Sequence, residues 1–202
     1  MKEIVYDWGG LNVWLFHQIN DIHSNALDTC MLGLTAVASH KLFPFYLLIL
    51  SLIAIVAVIK QPNNPLKNKS LWISTMAVFS IAYLLDGSFV GMLKPMFDFP
   101  RPPLALPIET VHIVGEAEYH HSLPSGHSSF AMLIVASVWP VLFFPWQKYL
   151  AVMFVLLVGI SRVSLGAHFP ADVLAGWLSS LVIVLGVRWG IEKIMRYKTF
   201  KE

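Results

Sequence analysis

The run LFPFYLLILSLIAIVAVI at residues 42–59 holds no charged side chain in 18 positions. A helix on the surface of a soluble protein keeps a polar face, and this run has none. Crossing about 30 Å of hydrocarbon takes roughly 20 apolar residues. Further runs at 71–93, 127–145, 149–165 and 170–191 meet the same requirement. The segment 25–39 is shorter and contains Asp28, so it reads as a span, a re-entrant piece or a buried helix. Composition agrees: 56% of the 202 residues are hydrophobic and only 13% are charged, with a mean hydropathy of +0.66. The expected fold is all-α, a single membrane-embedded domain over 1–202 built from about six transmembrane helices. Residues 1–24, with Trp8, Trp14 and Phe16 among polar neighbours, read as a segment lying at the interface.

The net charge of +2 is small and spread along the chain, with no basic stripe interleaved with aromatics, so nucleic acid is not an expected partner. A single cysteine, Cys30, excludes an internal disulfide framework. The start MKEIVYDWGG mixes Lys2 with Glu3 and Asp7 rather than leading from basic residues straight into an apolar run. The spans are therefore expected to act as their own targeting signal.

Because each span reverses the side, the loops sort by parity. Loop 60–70, the turn at 146–148 and the C-terminal tail share one side. They hold Lys60, Lys67, Lys69, Lys148, Arg188, Lys193, Arg196, Lys198 and Lys201. The other side has Lys94, Arg101 and Arg162, and Lys41 joins it if 25–39 spans. Positive charge accumulates inside, so loop 60–70 and the tail are expected in the cytoplasm, with Trp72, Trp146 and Trp189 as anchors near it. The few outer cations lie among His121, His127, His168 and Asp172, which groups them as a site.

Three segments carry that site. In KPMFDFPRP, Pro95 disfavours helix at Lys94 and is expected to end the span there. Lys94 and Arg101 suit an anion, although cations at a membrane edge also serve as snorkelling anchors. In PSGHSSF a small-residue turn enters a helix, and the free N–H groups near Ser125, Gly126 and His127 can cradle an anion. Alternatively Ser125 is only an N-cap. Arg162 closes one span, and HFPAD opens the next with Pro170 at the first helical position. Asp172 is then within reach of His168 and can fix its tautomer, leaving one ring nitrogen nucleophilic; the alternative is a capping Asp beside a structural His. Together these groups supply the needs of phosphoryl transfer without a metal: cations for the equatorial oxygens, one attacking His and one proton donor. No Cys/His spacing resembles a metal site and no cofactor is expected.

Lys94–x6–Arg101–Pro102, Pro124–Ser125–Gly126–His127 and Ser161–Arg162–x5–His168–x3–Asp172 resemble the three-part signature of the type-2 phosphatidic acid phosphatase superfamily. The likeness falls within 94–172. It implies His168 as the nucleophile that becomes a phosphohistidine, Asp172 as its orienting partner and His127 as the acid on the leaving group. Lys94, Arg101, Ser125, Gly126 and Arg162 would form the phosphate cradle, with no metal. The soluble haloperoxidases of that superfamily do not fit so apolar a chain. The expected activity is hydrolysis of a lipid phosphate or diphosphate, of the undecaprenyl diphosphate, phosphatidate or phosphatidylglycerophosphate type. Alternatives are a lipid phosphotransferase and an inactive protein that binds anionic lipids. Expected partners are the lipid substrate and membrane lipids, with no protein partner evident. The expected location is a bacterial plasma membrane, with the site facing the periplasm or exterior. Asp86, inside a span, is expected either to steady a cation of the site or to pair elsewhere in the bundle. Loop 104–121, with Glu109, His112, Glu116, Glu118, His120 and His121, is read as a shaper of head-group choice or a passive cover.

Overall fold

A computed structural model describes residues 6–60 and 65–199. Among the described residues the regular structure is entirely helical. A 3-10 turn, Trp8–Gly10, leads into α1 (Leu11–Asn20). Then follow α2 (Asn25–Val37), α3 (Phe43–Lys60), α4 (Pro65–Phe97), α5 (Gly126–Val138), α6 (Pro145–Ser164) and α7 (Pro170–Thr199). Helix α5 is central and packs on α4, α6 and α7; α3 packs on α4, and α2 on α6.

Four helices are long and apolar enough to cross a membrane, within His40–Lys60, Lys69–Ala105, Pro145–Ser164 and Pro170–Arg196. The apolar helix Gly126–Val141 is shorter. Helix α2 has 13 residues, a rise of about 20 Å, less than a hydrocarbon core. The architecture is the expected membrane bundle, but length alone does not supply six spans. Helix α3 presents Phe45, Leu48, Leu52, Ile55 and Ile59 outward, as lipid contact demands.

Proline sets several boundaries. Pro140, within the 3-10 turn Trp139–Val141, closes the α5 segment before residue 145, because its ring supplies no N–H and crowds the preceding turn. Pro145 then starts α6 four residues earlier than position 149. Pro95, by contrast, does not end α4 at Lys94: the helix continues to Phe97. There the proline falls in the last turn, and the Lys94 carbonyl still accepts from Asp98 N–H at 3.0 Å. The chain leaves the helix at Asp98, whose φ of +41° is left-handed.

Two larger cores hold the bundle, beside a smaller cluster of Ala38, Ala131 and Val158. Trp72, Phe79, Phe130, Leu133 and Val184 fill the space among α4, α5 and α7. Trp72 is thus buried in protein rather than anchored at the interface, while Trp146 and Trp189 are exposed. Phe16, Val163, Phe169 and Val173 form the second core, joining α1 to α6 and α7. The N-terminal segment therefore does more than lie on a surface. Asn20 donates to the carbonyls of His112 (2.8 Å) and Ser164 (2.9 Å), and Asn12 accepts from Ala171 N–H at 3.0 Å. Residues 1–5, with Lys2, lie outside the described residues.

Candidate active site

The C-terminal ends of α4 and α6, the N-terminal ends of α5 and α7, and the α2–α3 link surround one cavity of about 620 Å³. It is lined by Lys94, Arg101, Gly126, His127, Arg162 and His168. Signature residues up to 74 positions apart therefore share one wall system, as the parity of the loops requires.

Asp172 organises one side. It falls in the first turn of α7, and its Oδ2 accepts from Phe169 N–H at 2.8 Å, the reach-back bond of a helix start. The same oxygen lies 3.4 Å from His168 Nδ1. One carboxylate thus caps the helix start and lies against the imidazole. Two hydroxyls complete its shell: Ser122 donates to Oδ2 at 2.5 Å and Tyr6 to Oδ1 at 2.7 Å. Burial raises the Tyr6 pKa, with the Asp172 charge adding to it, so the phenol keeps the proton it donates. Its ring stacks on Phe99 at 4.3 Å.

His168 sits in the link between α6 and α7, held where its N–H and that of Ala167 reach the Arg162 carbonyl at 3.2 and 3.1 Å. Gly166 makes this tight reversal possible with a φ of +72°. The ring is 2% exposed, and burial pushes its pKa down to about 4 against the opposing pull of Asp172. Its Nε2 lies 3.4 Å from Arg101 Nη1. A guanidinium only donates, so the tautomer that fits has Nδ1–H toward Asp172 and a bare Nε2 toward the cavity cations. That is the nucleophilic form.

Arg101 is 5% exposed and fixed by its Nε–H to the His120 carbonyl (2.9 Å) and Nη1 to the Ala167 carbonyl (3.2 Å). Its Nη2 pairs with Glu118 at 2.5 Å. A carboxylate therefore occupies the Arg101 fork. Arg162 donates to Thr35 Oγ1 at 3.3 Å, while its buried Nε–H has no hydrogen-bond partner among the described residues.

The structure brings Gly126 and His127 to the cavity in the first turn of α5, where backbone N–H groups lack intrahelical acceptors. Ser125 behaves differently. It occupies the N-cap position without a side-chain capping bond, its N–H donates to the Asp172 carbonyl at 3.0 Å, and its hydroxyl accepts from Ser128 at 3.0 Å. Ser125 ties α5 to α7 from behind the cavity wall. His121 is turned away as well, against the Lys94 carbonyl (3.1 Å) and Asp98 (3.1 Å). Asp86 is fully buried on α4, accepting from Ser129 at 2.6 Å and Ser180 at 2.5 Å. Among the described residues no three His, Cys, Asp or Glu side chains gather as a metal site.

Sequence reasoning missed Tyr6, Ser122, Thr35 and His40, none of which falls in a motif. Tyr6 lies 166 residues from the carboxylate it holds, a separation that no local pattern bridges.

The PAP2 superfamily model matches residues 73–196, well over half of the chain. The chain belongs to the PAP2 superfamily. It is 35% identical over 120 residues to phosphatidylglycerophosphatase B of Bacillus subtilis, covering 53% of each chain. It thus spans about half the length of that relative. It is also 27% identical to the undecaprenyl-diphosphatase of Sulfolobus acidocaldarius, over 84% of this chain and 73% of that one. The crystal structure of Aquifex aeolicus LpxE superposes with a TM-score of 0.68 at 24% identity, over 88% of this chain and 94% of the other. This likeness shows that the two chains share a fold.

Proposed function

We propose that this PAP2 protein is a membrane lipid phosphatase that hydrolyses a lipid phosphate or diphosphate through a phosphohistidine. The observation that carries the reading is the buried His168, with Asp172 behind Nδ1 and a bare Nε2 facing Arg101. Nε2 attacks phosphorus while Lys94, Arg101 and Arg162 hold the equatorial oxygens. His127 gives its proton to the departing oxygen, then takes one from the water that cleaves the N–P bond. The electron pair of the broken P–O bond leaves with the lipid, and phosphate is released in the second step.

A lipid substrate is supported by the cavity wall on α4. Leu84, Gly87, Ser88 and Gly91 line it, and Leu84 is exposed on the outside of the bundle. An acyl or prenyl tail can lie there in the bilayer while its head group reaches the cations. The names of the relatives, a phosphatidylglycerophosphatase and an undecaprenyl-diphosphatase, support the same substrate class. A relative from Bacillus subtilis supports a bacterial plasma membrane, and the loop charges support a site on the periplasmic or outer face, where a carrier-lipid diphosphate must be dephosphorylated for reuse.

The test is phosphate release by detergent-purified protein with chelator present, on undecaprenyl diphosphate, phosphatidate and phosphatidylglycerophosphate, beside His168→Ala. Release without an acceptor lipid, abolished in the variant, is expected. Release only when an acceptor is supplied would identify a phosphotransferase, and lipid binding without turnover would identify an inactive binder.

A further inference from the structure

The three cations of the signature and the two catalytic histidines account for one phosphoryl group, yet the cavity has another basic corner. Ser39, His40 and Lys41, on the α2–α3 link, line the same space. Its volume of about 620 Å³ suits a ligand larger than a single phosphate. His40 is not a stray surface residue. Its ring stacks on Phe130 at 4.7 Å, and its Nε2 lies 3.5 Å from Asp86 Oδ2, in ion-pair reach but out of line for a hydrogen bond. Asp86 is itself locked by Ser129 and Ser180. A carboxylate is costly to place inside a span, and this one sits behind a histidine of the cavity wall.

The position of that histidine relative to the reaction is informative. A Cβ at Gly126 would lie 3.8 Å from His40 Cε1, so the ring edge abuts the turn that carries His127. In an in-line displacement the leaving oxygen departs opposite His168, on the side of its proton donor His127. His40 abuts the turn on that side, and Lys41 follows it in the same link. An imidazole N–H of His40 can donate to a phosphate oxygen, and Lys41 adds a point charge.

We propose that His40 and Lys41 form a second phosphate subsite that selects lipid diphosphates over lipid monophosphates. The proposal rests on the hydrolase reading and names its substrate. His168 Nε2 bonds to the terminal phosphorus, and the bond from that phosphorus to the bridging oxygen breaks. The bridging oxygen takes the electron pair and the His127 proton. The lipid monophosphate, whose remaining phosphate rests on His40 and Lys41, then leaves, and water cleaves the N–P bond to give phosphate. Asp86 acts as a positioning residue through His40.

Farnesyl diphosphate and farnesyl monophosphate share a tail and differ by one phosphate, so their kcat/KM ratio reads this subsite. In His40→Ala and in Lys41→Ala, the diphosphate-to-monophosphate ratio is expected to fall about tenfold or more, the scale of a lost charge-assisted hydrogen bond. Equal losses on both substrates, or a wild-type ratio of one or below, would overturn the subsite. A parallel binding measurement separates this from the catalytic reading. Pyrophosphate should bind the wild-type protein more tightly than orthophosphate, and the His40→Ala and Lys41→Ala substitutions together should erase the difference. An inactive wild type that still shows this difference would sink the hydrolase reading and keep the subsite. Equal affinity for the two anions would sink the subsite whatever the activity.

Discussion

The chemistry proposed for His168 depends on a carboxylate whose other hydrogen bonds come from elsewhere in the chain. Asp172 accepts from Ser122, Tyr6 and Phe169 N–H, so its approach to the imidazole is set by groups from three parts of the chain. Tyr6→Phe removes one hydroxyl and keeps the stack on Phe99. The expected result is a fall in kcat of about tenfold, with KM little changed, since one charge-assisted bond is worth roughly 1.5–3 kcal/mol. A change confined to KM would assign Tyr6 to lipid binding instead. The ionisation of His168 gives a second prediction. Burial favours the neutral ring, so its folded pKa of about 4 lies below the ordinary histidine value. The ring stays neutral as pH falls from 7 to 5 and gains a proton only near the folded value. Carbon-13 NMR of labelled histidine, with His168→Gln to assign the signal, is expected to show that late titration; a midpoint near 6.5 would mean that water reaches the ring. Of this residue-scale arrangement the sequence displays the His168–Asp172 pair, because a spacing of four across a helix start is local. Tyr6 and Ser122 are brought in by tertiary packing and leave no spacing to read.

At the level of helices, the site depends on how closely α7 approaches the start of α5. Gly176 makes that approach possible: a Cβ there would stand 2.6 Å from the Ser125 carbonyl oxygen and 3.1 Å from Ser129 N. Both neighbours are backbone and cannot swing aside. Gly176→Ala is expected to displace the Gly126–His127 turn and lower kcat/KM on the order of 100-fold, while overpacking costs about 1–3 kcal/mol of stability. Activity measured beside thermal unfolding checks both; wild-type turnover would show that the two helices can separate without moving the turn. Loop 104–121 carries the other element-scale prediction. Glu118 holds the Arg101 fork, so an incoming phosphate must displace it. Glu118→Gln is expected to lower KM severalfold, and an increase in KM would mean that Glu118 aids binding instead. The helix starts at Gly126 and Pro170 are readable in sequence because small residues and prolines mark them. The continuation of α4 past Pro95 is not, since the preference against helix before proline is weak enough for the last turn to override.

For the whole molecule, the decisive quantity is the side of the membrane on which the cavity opens. The sequence makes the site's convergence legible through parity: the ends of α4 and α6 and the beginnings of α5 and α7 must share a face, and in the structure they surround one cavity. The α2–α3 link with Lys41 joins that cavity too, which puts the end of α2 on the same face despite its 13-residue length. The proposal for which face this is rests on the loop charges and not on the bundle geometry. Lys193 and Arg196 lie near the opposite end of α7 from Asp172. Insertion favours such cations on the cytoplasmic side. Cys30 is the chain's single cysteine, so Cys30→Ala supplies a background for labelling with a membrane-impermeant maleimide. On that background Glu116→Cys, in the loop beside the cavity, is expected to react in intact cells. Lys193→Cys should react only after the membrane is permeabilised. The reverse pattern would turn the site toward the cytoplasm and remove the argument for an externally released carrier-lipid diphosphate, while leaving the histidine chemistry intact, because neither Asp172 nor Arg101 depends on which compartment the cavity meets.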